Sequence, residues 1–186
     1  MWYPATITGA VEAEPITTAE AKAHLRVDGA AEDSLIAGLV AAARAHAEAY
    51  CGARLATQTV AMKCDGFADL GRLPEAPVQS VASVTYVDTS GDTQTLATSV
   101  YELRSDGLEA ALVLKYGQAW PATRMGSRIT VTAVVGYATL PKDIRHALLL
   151  LIGHWYVARE AVNIGNIVNE LPLGVAALLC NHRRGA

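Results

Sequence analysis

The chain has 186 residues, of which 52% are hydrophobic and 18% charged, and its formal net charge is −3. That composition belongs to a folded protein with a core of its own and excludes a disordered chain. The mild acidity excludes a surface built to grip nucleic acid or an acidic membrane, though not a neutral or acidic channel through which DNA passes.

The cysteines, Cys51, Cys64 and Cys180, are odd in number, far apart and without a CxxC pair. They read as buried or idle thiols in a reducing compartment. The N-terminus shows no basic segment followed by an apolar run. The longest apolar stretch, 144–157, is broken by Arg145, His146 and His154 and falls short of the ~20 residues a membrane span needs. A soluble protein made in the cytoplasm, with no membrane contact, is expected.

Residues up to Pro15 read as an extended arm. Thr17, with Glu20 three residues on, forms a capping box that starts a first helix, expected to stop near Asp28-Gly29. A second helix is expected over 33–50. Its stripe is Leu35, Ile36, Leu39, Val40, Ala43, Ala47 and Tyr50, with Arg44, His46 and Glu48 off it and Gly52 ending it. The period then changes to two. Strands are expected at 57–64, 78–87, 93–96, 101–104, 112–114 and 128–135, with a turn at 88–92. The last strand puts Ile129, Val131, Ala133 and Val135 on one face and Thr130 and Thr132 on the other. Pro141 suits a helix start, and Ile144, Ala147, Leu148, Leu151, Ile152 and Trp155 form the next core stripe. A loop over 163–169 and a short closing helix over 175–181 complete the pattern. The expected fold is a single α+β domain spanning 1–186. Helical segments 17–52 and 141–182 pack as a small bundle, and an antiparallel β-rich insert fills 55–137.

No constellation for catalysis is visible: no GxSxG elbow, HExxH helix, Walker loop or GxGxxG fingerprint. His24 and Asp28, four apart, read as a surface ion pair. His146 and His154 lie roughly 80° apart around one helix, which suits interface or core histidines better than a zinc site. Asp65 and Asp69 lack the alternating ligands and closing glutamate of a calcium loop and read as solvated carboxylates. No metal or cofactor is expected. Trp120, in an aromatic loop, reads as a tryptophan folded over the sheet or as a partner-binding knob.

Several segments, in order, resemble the head–tail connector proteins of tailed phages. They are 15–27, the acidic break Glu32-Asp33 with the helix ending Tyr50-Cys51-Gly52, 73–86, Tyr116-Gly117-Gln118-Ala119-Trp120-Pro121, His154-Trp155-Tyr156, Arg159-Glu160-Ala161 and Glu170-Leu171-Pro172-Leu173-Gly174-Val175. Thr18, Ala158 and Cys180-Asn181-His182 depart from the family pattern. The resemblance implies a non-enzymatic neck subunit of a virion, prophage or gene transfer particle. It implies a ring of about twelve copies beneath the portal protein, through which DNA passes without sequence-specific binding and onto which the next neck or tail component docks. Portal or partner contacts are expected at Leu171, Pro172, Val175, Leu178, Leu179, Arg183, Arg184 and Trp120, and flexible termini would order on the portal. The alternative from another class is a small enzyme or ligand-binding domain with an unrecognised site.

Overall fold

The computed structural model describes residues 1–158 and 173–185. The elements run β1 (Thr6–Ile7), α1 (Thr18–Leu25), α2 (Asp33–Cys51), β2 (Gln58–Cys64), β3 (Val78–Val87), β4 (Thr93–Thr95), β5 (Tyr101–Asp106), β6 (Glu109–Leu114), β7 (Ile129–Val135), α3 (Lys142–Val157) and α4 (Leu173–Leu179). The chain is α+β, with helices towards both ends of the sequence and antiparallel strands between them. It divides into a β unit, Met1–Glu12 with Ala56–Ala138, and a helical unit, Ala13–Leu55 with Thr139–Ala186. The expected loop at 163–169 lies outside the described residues.

In the helical unit, Thr17 caps α1 by accepting from the Glu20 amide at 3.1 Å. The helix stops at Leu25, three residues before the expected exit. Arg26 takes the left-handed conformation (φ 57°), and the Val27 amide closes on the Lys22 carbonyl at 3.1 Å. Asp28 therefore lies beyond the helix, the i,i+4 geometry is lost, and the expected His24–Asp28 pair does not form. Lys22 ties the turn instead, bonding Asp33 at 2.6 Å and the Gly29 carbonyl.

The buried stripe of α2 is Ile36, Val40, Ala43, Ala47 and Cys51. Leu35 is exposed and Leu39 only half-buried, so the stripe is rotated from the expected one. The rotation brings in Glu48, which is buried at 9%. A buried carboxylate needs donors. Glu48 takes them from the Leu55 amide at 2.9 Å and from Arg44 at 3.1 Å, and Arg44 also reaches Glu14 at 2.7 Å. On α3, Ile144, Ala147, Leu148, Leu151 and Ile152 are all buried, as the period requires. Trp155 meets His46 of α2 edge-on at 5.8 Å, Tyr156 donates to Glu32, and Arg145 forks onto Glu20.

In the β unit, β1-β2-β7-β3-β4 form one antiparallel sheet and β5-β6 a separate hairpin. β7 lies at the centre, with Val131 opposite Met62 on one side and Val84 on the other. Its buried residues are Ile129, Val131, Ala133 and Val135, which follow the period of two. They share a core with Met62, Leu73, Tyr101 and Leu112. The N-terminal arm is fixed: Thr6 and Ile7 pair with Ala61 and Val60. Trp2 donates to the Arg72 carbonyl at 2.8 Å, and Arg128 lies 3.9 Å over the Tyr3 ring. Strand addition at the sheet edge satisfies the arm's backbone groups, which an expectation of flexibility left open.

Candidate assembly surfaces

The C-terminal segment is built onto the helical unit. In α4, Val175 (0% exposed) and Leu179 (1%) are buried, Leu178 is half-buried, and Gly174 and Ala177 face out. A helix this short does not persist alone, so packing holds it. Polar contacts finish the attachment. His182 bonds Asp143 at the start of α3 at 2.5 Å, and the Arg184 amide donates to the Cys51 carbonyl at 2.7 Å. The Arg183 guanidinium lies 5.2 Å from the Tyr50 ring centre. The hydrogen bond from His182 holds the Asp143 carboxyl below its ordinary range. Of the residues expected at a partner contact, Arg183 thus stands exposed, and Leu178 and Arg184 are half-buried. Val175 and Leu179 hold the segment from beneath. Leu171 and Pro172 lie outside the described residues.

Trp120 belongs to the β unit. Its ring stacks on Phe67 at 4.9 Å with 1° between planes, and Phe67 in turn meets Tyr86 at 5.7 Å. The indole is therefore folded onto the sheet's core, and what projects is on either side of it. Tyr116 (105% exposed) and Met125 (98%) each precede a glycine in the left-handed conformation, Gly117 (φ 74°) and Gly126 (φ 75°). Those two residues carry no sequence expectation of exposure. The available signal is an apolar side chain immediately before a turn glycine.

The remaining candidates have structural partners. Asp69 accepts from the N-terminal amine at 2.6 Å and from the Gly66 amide at 3.2 Å, and Asp65 accepts from Tyr3 at 2.9 Å. The two carboxylates thus clamp the arm, where solvated side chains were expected. Burial pushes the Cys51 and Cys64 thiols up to about 11, while Cys180 is exposed. His146 and His154 are both exposed, so neither is a core histidine. Among the described residues, no three His, Cys, Asp or Glu side chains gather as a metal site requires, and no helix is long and apolar enough to cross a membrane.

The family model for head completion proteins matches residues 14–184. No curated protein matches the chain by sequence. Among solved structures, the chain is similar to one in the virion of a native gene transfer agent (GTA) particle, with TM-score 0.81 and 25% identity over 99% of this chain and 97% of that one. A chain in the neck of an empty GTA particle computed with C6 symmetry matches with TM-score 0.79 and 23% identity, again over 99% and 97%. One in the neck of a native GTA particle computed with C12 symmetry matches with TM-score 0.78, 23% identity and the same coverage. The two neck likenesses carry the fold alone. The family match, which takes in both units, carries the assignment: the chain belongs to the head completion protein family and is a non-enzymatic structural protein of the head–tail connection.

Proposed function

We propose that the chain is a neck subunit that closes into a ring of about twelve copies beneath the portal protein, lets DNA pass through its centre and receives the next neck or tail component. The observation that carries this reading is the head completion match over 14–184, taken with a fold shared over nearly the whole length with chains of GTA necks. Cyclic symmetry in those necks supports the ring, because a closed ring needs each subunit to present two different complementary faces.

The contact with the portal is assigned to the C-terminal segment, from Leu171 and Pro172 to Arg183 and Arg184. Leu178, Arg183 and Arg184 face the partner, and Val175 and Leu179 hold the segment in place. Trp120 belongs to a separate contact made by the β unit. Because Val175 and Leu179 are core residues, deleting 171–186 would damage the helical unit and confuse folding with binding. Substitutions on the outer side are cleaner. Ala177→Glu and Arg183→Glu together should abolish co-elution with the cognate portal while the melting temperature stays near that of the unaltered chain. Undiminished co-elution would remove the C-terminal segment from the contact.

A further inference from the structure

Charge is segregated inside the β unit. Counting side chains, the loop 115–128 between β6 and β7 carries Lys115, Arg124 and Arg128 and no carboxylate, a charge of +3. The rest of the β unit holds Lys63, Arg72 and Arg104 against nine carboxylates, a charge of −6. The helical unit has nine side chains of each sign and is neutral.

The same loop is a formed structure. Its turns close by Gln118 amide to Lys115 carbonyl at 3.0 Å and Ser127 amide to Arg124 carbonyl at 3.1 Å. The Arg124 amide donates to Val87 of β3 at 3.0 Å, and Trp120 is pinned on Phe67. From that support Tyr116 and Met125 project, fully exposed among the described residues. All three cations are drawn back on their own surface. Lys115 Nζ donates to the Thr98 carbonyl at 2.9 Å, Arg128 lies over Tyr3, and Arg124 Nη1 lies at the β3–β4 turn, 3.7 Å from where a Cβ on Gly91 would stand. Cations tethered in this way do not form a track reaching for phosphates, as a nucleic-acid groove would. Lys115 and Arg124 each adjoin an exposed apolar side chain, Tyr116 and Met125, and protein–protein contacts are where exposed Tyr, Met and Arg are enriched.

We propose that loop 115–128 is one face of the subunit–subunit contact and that its occupant is a second copy of this chain. Tyr116 and Met125 are its apolar anchors, seated on the acidic remainder of the neighbour's β unit, and the positive charge of the loop favours that acidic surface. Asp106 is the foremost of its carboxylates. It stands exposed at the β5–β6 turn and makes no ion pair among the described residues. The charge asymmetry carries the choice of partner: every copy bears both the basic loop and the acidic receiver, as a head-to-tail ring requires.

The inference rests on the ring reading, and one preparation separates the two. The full chain, with Tyr116 replaced by the photocrosslinker benzoylphenylalanine, is assembled on the cognate portal, imaged and irradiated. The expected product is a covalent pair of this chain, joined to a peptide of the neighbour's β unit. Rings that crosslink only to portal or DNA, or to nothing, overturn the loop assignment and leave the ring intact. Absence of rings in the unaltered protein overturns both. In parallel, Tyr116→Asp with Met125→Asp should raise the concentration needed for rings by about ten-fold. The melting temperature should be unchanged, since both side chains are fully exposed. Ring formation at the unaltered concentration would contradict the proposal.

Discussion

Gly136 occupies a backbone position that no other residue can take. Its φ is 103°, and a Cβ there would lie 2.1 Å from the Ala56 carbonyl oxygen and 2.9 Å from the Thr57 amide nitrogen. The position is also bonded on both sides, donating to Pro77 at 2.9 Å and accepting from Gln79 at 3.0 Å. Gly136→Ala should therefore cost about 3 kcal/mol or more, through backbone strain and overpacking together. A urea titration with an unshifted midpoint would contradict this. The thiols make a second prediction at this scale. Burial holds Cys51 and Cys64 protonated at neutral pH, so iodoacetamide should label the native protein at Cys180 alone. Labelling of all three before unfolding would contradict the assigned core. Glu48 shows where sequence reading reaches its end. Helical periodicity excludes it from the stripe, and one donor that satisfies it once buried is the Leu55 amide, a partner across the Gly52 turn that no period encodes.

At the scale of elements, α3 and β7 were the most legible in the sequence. Each carries an unbroken period of buried residues, and hydrophobic burial is what periodicity reports. The start of α1 was legible from Thr17, but its end was not, because the left-handed cap falls on Arg26 and not on the glycine that favours it. β1 was invisible for a different reason. Two residues have no measurable period, and their pairing is set by the edge of β2. Burial also ranks the substitutions. Leu148→Asp places an unpaired carboxylate in the helical core at a cost of several kcal/mol and should leave no cooperative melt. Leu39→Asp, at a half-buried position, should melt cooperatively at a lower temperature; the reverse order would mean the α2 face is misassigned.

The attachment of α4 should depend on acidity. The folded Asp143 carboxyl is held below its unfolded value chiefly by the His182 hydrogen bond. A depressed carboxylate contributes stability above its unfolded pKa and loses it as pH falls through the folded one. The pair is partly exposed, so its worth is under about 1 kcal/mol. Amide exchange over 173–182 should accelerate on acidification below the ordinary carboxylate range. Asp143→Asn should show faster exchange already at neutral pH and a flatter acid response. An Asp143→Asn protein with the acid response of the unaltered chain would remove the pair from the attachment.

For the whole molecule, the candidate contact was only partly legible. The family resemblance pointed to the C-terminal segment, but sequence alone does not separate Val175 and Leu179, which hold it down, from Arg183, which faces out. The charge segregation of the β unit emerges only when the two compact units are known, because a net charge of −3 spread over the full sequence conceals it. A neck subunit of this kind has its function in the surfaces it offers to copies and partners, and its cores serve to fix those surfaces. The central claim is that the chain assembles as a ring on a portal. Electron cryo-microscopy of the full-length chain mixed with its cognate portal tests it most directly. The expected result is portal particles capped by one closed ring of about twelve subunits, with the C-terminal segment against the portal. Bare portals beside free chain, at concentrations where both are folded, would contradict it.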